Sequence, residues 1–181
     1  MRLETERLVL RDWMPRDYAP YARMLADPYV RRFYPSTLSE AEAYAMIDRY
    51  RENLARDGFG FLVVERKKDG AFLGDVGISK VPYEVPGNPE IEIGWLLGKR
   101  YWGHGYAPEA ALACLDHAWR EAKIPEVVAF TYEGNTPSQR VMQKIGMTSD
   151  PTENFNHPKV PRGHKLRPHV LYRIKNPLLA G

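Results

Sequence analysis

The stretch EIGWLLGKRYWGHGYAPEA, residues 92–110, decides how the chain is read. It begins as an apolar run of strand character, passes through a turn with glycines at 98, 103 and 105 and cations at Lys99 and Arg100, and ends in an alanine-rich segment. A helix is expected from Tyr106 to about Ala122. Ala111, Cys114, Leu115, Ala118, Trp119 and Ala122 recur there at offsets of three and four, which makes one apolar stripe. Pro108 suits a first helical turn, where its missing N–H would lack a partner anyway. A Walker phosphate loop would need a lysine and a hydroxyl residue at positions 104 and 105, which hold His104 and Gly105. A GxGxxG dinucleotide turn starting at Gly103 would need glycine where Pro108 stands. What remains is Arg100-x-x-Gly103-x-Gly105-x-Ala107 between a strand and a helix. Its small residues let a bulky anion approach, and the free N–H groups of the first helical turn face that anion with the positive end of the helix dipole. An ordinary glycine-assisted bend has the same spacing, so the turn alone leaves both readings open.

The rest of the chain alternates strands and helices. RLVLRDW (7–13) has strand alternation and PRDYAPYARMLAD (15–27) is helical. SEAEAYAMIDRYRENLARDG (39–58) reads as a second helix, capped by Ser39 with Glu42 in the capping-box position and ended by Gly58. FGFLVVER (59–66) and AFLGDVGISKV (71–81) form a hairpin across KKDG, and a Pro/Gly-rich loop at 82–90 leads to the strand IEIGWLL (91–97). Beyond the long helix come a strand EVVAFTY (126–132), a short helix TPSQRVMQKIG (136–146) and a last strand HVLYRI (169–174). This order predicts a mixed α/β (α+β) fold with a central mixed sheet.

Composition narrows the function classes. The chain has 181 residues, 44% of them hydrophobic, which suits one domain over residues 1–181. Lys and Arg number 26 against 23 Asp and Glu, and the charges are scattered, so nucleic acid is not the expected partner. The one cysteine, Cys114, excludes an internal disulfide and thiolate-rich metal sites and fits a reducing cytoplasm. His157, His164 and His169 have no acidic or thiolate neighbour at ligand spacing, so no metal site is expected. The N-terminal residues lack the apolar core of a signal peptide, and no window has membrane-spanning length. The expectation is a cytoplasmic chain with no membrane partner, and a homodimer stays open.

A second motif, NTPSQRVMQKIGM (135–147), joins the glycine turn. Together they resemble the GNAT superfamily of N-acetyltransferases, and EIGWLLGKRYWGHGYAPEA is similar in particular to its RimJ/RimL subgroup, which acts on ribosomal-protein N-termini. The resemblance runs from residue 3 to about residue 149, and HVLYRI fits the family's final strand. It implies acetyl-CoA as co-substrate, bound where the strand of Glu92 to Leu97 splays from that of Val127 to Tyr132. The backbone of Trp95, Leu96 and Leu97 would bind the pantetheine amides as a surrogate strand. Arg100, Gly103, His104, Gly105, Tyr106 and Ala107 would hold the pyrophosphate, with Asn135 and Ser138 approaching from the other side. Asn135 also suits the cap of the helix that follows.

Acetyl transfer to an amine acceptor needs a base for the ammonium and a donor for the departing thiolate. Glu92 falls where several members place a carboxylate acting through water, with Glu90 in reserve; a solvated or ion-paired strand residue is the bland alternative. The family's tyrosine acid falls on Met142, which leaves Ser138 as the hydroxyl near the sulfur. A protein N-terminus or small amine is the expected acceptor; an antibiotic or metabolite acetyltransferase and a non-catalytic acyl-CoA sensor stay open. Residues 148–169, rich in proline, histidine and cations, depart most from a minimal member. They are expected to be an irregular lid over the acceptor, hinged at Gly163 and contacting it through Lys159, Arg162 or Lys165.

Overall fold

The computed structural model describes residues 1–179, built around a nine-stranded mixed sheet with four helices. The strands are β1 (Arg2–Glu4), β2 (Leu8–Arg11), β3 (Phe61–Arg66), β4 (Ala71–Lys80), β5 (Ile91–Leu97), β6 (Glu126–Tyr132), β7 (Thr148–Ser149), β8 (Phe155–Asn156) and β9 (Pro168–Lys175). The helices are α1 (Pro15–Leu25), α2 (Glu40–Asp57), α3 (Tyr106–Arg120) and α4 (Thr136–Lys144). The sheet order is β1-β2-β3-β4-β5-β6-β9-β7, and β8 also pairs with β9.

Local sequence accounts for the helix ends. Ser39 Oγ accepts from the Glu42 N–H at 3.3 Å and the Glu42 carboxylate accepts from the Ser39 N–H at 2.8 Å, while Gly58 closes α2 in the left-handed conformation at φ 76. At the start of α1 the Asp17 carboxylate accepts from the Met14 N–H at 2.8 Å and from both terminal nitrogens of Arg11 at 2.7 and 2.9 Å, a pair buried to 2% and 5% exposure. That pair locks α1 to β2. The α3 stripe is buried through Ala111, Cys114, Leu115, Ala118 and Trp119 and packs on one sheet face with Leu73, Val76, Ile93 and Leu97, but the helix ends at Arg120, so Ala122 lies past it and is half-buried. The opposite face carries α1 and α2 over Val63, Phe72 and Leu96.

Two expectations change. A three-residue strand, β1, precedes the first expected one and pairs with β2. Residues 148–169 are also not irregular throughout. β7 and β8 both pair with β9, a 3-10 turn spans Pro151–Glu153, and Val160 and Leu166 are buried at 7% and 5% exposure. These strands exist only because β9 offers a free edge, a long-range pairing that their own few residues do not encode.

The sheet has one parallel junction with a single registered pair. β5 and β6 meet at Glu92↔Val128 and then part. On its other side β5 is paired with β4 along its whole length, from Gly74↔Leu97 to Lys80↔Ile91.

Candidate active site

Beyond Glu92 the splayed strands leave backbone N–H and C=O groups of β5 facing β6 without a ladder partner, and a cleft of about 400 Å³ opens there. Its lining includes Ile93 to Leu97 of β5, Phe130 and Thr131 of β6, and Asn135, Ser138 and Arg140 at the start of α4. At one end the lining reaches Gly103, Gly105, Tyr106 and Ala107. Gly103 and Gly105 both adopt left-handed conformations, at φ 79 and 78, and Gly105 is the residue before α3. Backbone in this conformation, with no Cβ, turns the first N–H groups of α3 toward the cleft, and an extended chain with two amides and a pyrophosphate fits that sequence of features.

The turn is held from behind. The Glu109 carboxylate accepts from the Thr5 hydroxyl at 2.5 Å, the Arg7 N–H at 3.0 Å and Arg7 Nε at 2.7 Å, while Arg7 Nη1 donates to the His104 carbonyl at 3.0 Å. His104 is therefore a backbone anchor; its ring is exposed, 5.6 Å from that of Tyr106, and lies outside the cleft lining. Arg100 lies outside it too, exposed in a 3-10 turn with its guanidinium 4.8 Å from the Tyr101 ring. A cation that the sequence does not single out stands in the lining instead. Arg32, in the connection between α1 and α2, has its guanidinium 4.6 Å from the rings of both Trp102 and Phe33. Its only sequence signal is the clustering of cations and aromatics in RRFYP, residues 31–35, between two helices.

On the α4 side, Asn135 is committed as a cap. Its Oδ1 accepts from the Ser138 N–H at 3.3 Å and its Nδ2 donates to Thr131 Oγ1 at 2.8 Å. Met142 is buried at 1% exposure and contributes no hydroxyl.

Glu92 sits where the strands part, half-buried, and accepts from the Ser79 hydroxyl at 3.1 Å. Burial pushes its carboxyl up to about 7, with the Ser79 hydrogen bond and the Lys159 charge opposing the rise. A group titrating there is poised to exchange protons at neutral pH. Glu90, the reserve base, does not share the strand with Glu92. It precedes β5, is exposed, and offers only its carbonyl, to Val81 N–H at 2.9 Å. Pro89 and the loop before it keep Glu90 outside the strand.

Asp75 of β4 lies on the same sheet face as Glu92, because Asp75↔Leu96 and Ser79↔Glu92 are registered pairs four residues apart. It is 2% exposed, its Oδ1 has no hydrogen-bond partner, and burial pushes its carboxyl up to about 7. Residue type alone gave no sign of it. Among the described residues, no group of three His, Cys, Asp or Glu side chains could hold a metal ion, and no helix is long and apolar enough to cross a membrane.

Residues 7–148 match the acetyltransferase (GNAT) domain family. The chain is 30% identical to the N-acetyltransferase YnaD of Bacillus subtilis over 96% of each chain. Among solved structures it is similar to an acetyltransferase from Agrobacterium tumefaciens, with a TM-score of 0.77, 30% identity, and coverage of 96% of this chain and 94% of that one. It shares the fold of RimL, a ribosomal L7/L12 alpha-N-protein acetyltransferase solved with coenzyme A, at a TM-score of 0.77 and 15% identity over 97% of this chain and 98% of that one.

Proposed function

The chain belongs to the GNAT family of acetyltransferases, which transfer an acetyl group from acetyl-CoA to an amine, and we propose that the amine here is the α-amino group of a peptide or protein N-terminus, as in the RimJ/RimL subgroup. The observation that carries this reading is the Glu92 carboxyl, held near 7 beside the point where β5 and β6 part. An α-ammonium with a pKa of about 8 gives its proton to such a carboxylate at a cost of about 1.4 kcal/mol, whereas a lysine-like ammonium near 10.4 is uphill by about 4–5 kcal/mol. Glu92 takes that proton, directly or through one water.

The backbone of Trp95, Leu96 and Leu97 and the N–H groups from Gly103 to Ala107 would hold the coenzyme, and Arg32 adds positive charge in the same lining. Arg100 and His104, exposed and outside that lining, serve the turn through its backbone and long-range charge alone. Ser138 keeps the place of a hydroxyl near the thiolate. Free thiols titrate near 8.5, so the departing thiolate needs little help. The 148–169 segment covers the acceptor end: Phe155 and His157 pack on Phe130 at 5.7 and 5.9 Å, away from the glycine turn.

The test is thiol release from acetyl-CoA with three acceptor classes: free N-terminal peptides, N-blocked peptides bearing one lysine, and simple alkylamines. The N-terminal peptides are expected to give the highest kcat/KM at pH 7. A higher value for alkylamines or lysine side chains would discard the α-amino reading.

A further inference from the structure

The loop after β4, the segment before β9 and the start of β9 converge beside β6 and bring a tyrosine and two histidines together. Tyr83 Oη and His157 Nε2 are 2.8 Å apart, with ring centroids 4.9 Å apart at 65°. The His169 ring lies 4.7 Å from that of His157. Phe130, which lines the cleft, lies 6.0 Å from Tyr83 and 5.9 Å from His157. Two residues earlier on β6, Val128 is the register partner of Glu92, and it packs in one apolar cluster with Val85 and Phe130. Tyr83 and Glu92 therefore both lie against the Val128–Phe130 stretch of β6, just behind the lining at the Phe130 end of the cleft.

The direction of the Tyr83–His157 hydrogen bond follows from a third group. The Lys159 backbone N–H donates to His157 Nδ1 at 3.2 Å, and an amide can only donate. Nδ1 must carry a lone pair, so the neutral ring has its proton on Nε2, and Nε2–H donates to the Tyr83 oxygen. The tyrosine's own proton is then turned away from the histidine. The ring stays neutral at neutral pH, because burial, His169 and Lys159 lower it to about 4. Tyr83 stays protonated, because burial and the charges of Glu92 and Tyr34 raise it.

We propose that Tyr83, aimed by His157, is an acceptor-binding residue whose hydroxyl donates a hydrogen bond to an oxygen carried next to the reacting amine. The inference rests on this end of the cleft being the acceptor site. A carboxylate that accepts an N–H and a hydroxyl that offers an O–H, one registered with Val128 and the other packed on Phe130, complement a group with an amine and a neighbouring oxygen, such as the first carbonyl of a peptide. An amine without that oxygen leaves the Tyr83 proton unpaired. Sites built to hydrogen-bond a substrate group reject analogues that lack it.

Steady-state kinetics on Tyr83→Phe, His157→Phe and the double variant test this, with a free N-terminal peptide and with propargylamine, an oxygen-free amine of comparable basicity. Tyr83→Phe should lower kcat/KM about 10- to 100-fold for the peptide and less than about threefold for propargylamine. His157→Phe should lose part of the same discrimination, and the double variant should lose no more than Tyr83→Phe alone. His157→Gln, which keeps a side-chain N–H donor, should recover most of it. The acetyl-CoA Kd, measured by calorimetry, should stay within about twofold throughout. Equal losses for both acceptors, or losses in the double variant that add, would reduce the pair to a packing contact and overturn the proposal. If peptides are not acceptors at all, the α-amino reading falls alone. The same cycle then runs on the best acceptor of the panel and its oxygen-free analogue, with the same criteria.

Discussion

The two ends of the cleft are built by different means. The coenzyme end is built mainly from one contiguous run, Ile93 to Ala107, with Arg32 and Ser138 added from elsewhere, and it depends chiefly on backbone: unpaired strand groups, two left-handed glycines and a helix start. The proposed acceptor end has Tyr34 and Phe130 in its lining and Tyr83, Glu92 and His157 just behind it, from five separate segments, and it depends on side chains. A backbone site tolerates changes in side-chain identity but not in conformation; a side-chain site does the reverse. Substitutions at the two ends should therefore separate cleanly in kinetics, one moving coenzyme affinity and the other turnover.

The largest separation is expected at Glu92. Glu92→Gln keeps the shape and a partner for Ser79, removes the proton acceptor, and should lower kcat about 10²- to 10⁴-fold with the acetyl-CoA Kd nearly unchanged. In the parent protein Glu92 must be ionised to act, so kcat/KM should rise with pH through about 7 and level off above it. The variant should lose that acid limb, and its deficit should shrink at alkaline pH as free amine accumulates. Wild-type turnover in the variant at neutral pH would leave solvent as the base, since Glu90 is exposed outside the strand.

The converse pattern is expected at Gly105. Its φ of 78 is strained for any L residue and worst for a β-branched one, so Gly105→Val should weaken acetyl-CoA binding about 10- to 100-fold. A Cβ there meets only Arg7 Nη2, at 3.5 Å, so the damage comes from conformation and not from crowding within the protein. With saturating coenzyme, preference among acceptors should stay the same. Calorimetry on a folded variant with unchanged affinity would remove the glycine turn from the coenzyme site.

The same contrast explains how much the sequence could tell. Gly103, Gly105 and Pro108 announce a turn and a helix start because each has a local conformational reason to be there. Ser39, Glu42 and Gly58 announce both ends of α2 in the same way. Arg100 and His104 belong to the same motif, yet contiguity in sequence does not aim side chains alike, and theirs leave the cleft. Tyr83 and His157 carry no pattern of their own; they meet only after the sheet brings β4, β6 and β9 together. β1, β7 and β8, at two or three residues each, are likewise written in their partners and not in themselves. Asp75 is the extreme case. A lone acid in AFLGDVGISK reads as a polar interruption, and only burial by α1 and α2 turns it into a strained group.

That strain gives the smallest kinetic effect and a distinct thermal signature, because Asp75 lies buried in β4 opposite Leu96 without an assigned role in turnover. Burial raises its carboxyl from 3.8 to about 7 in the folded chain, so between those values the folded state keeps a proton that the unfolded chain has released. The folded state binds more protons in that window, and stability must fall as pH rises across it. Below about pH 4 both states are protonated and nothing is lost; above about pH 7 both are ionised and the full cost of the buried charge is present. Asp75→Asn removes the charge but adds two amide hydrogens with uncertain partners, which offsets part of the gain. The net expectation is a stabilisation of about 1–3 kcal/mol at pH 8, a few degrees in Tm, fading to none or reversing slightly at pH 4.5. kcat/KM should stay within about twofold for every acceptor. Thermal melts of both proteins at the two pH values check the sign. An equal Tm difference at both would mean that Asp75 does not titrate in this window, and a large kinetic loss would draw it into the acceptor site beside Glu92.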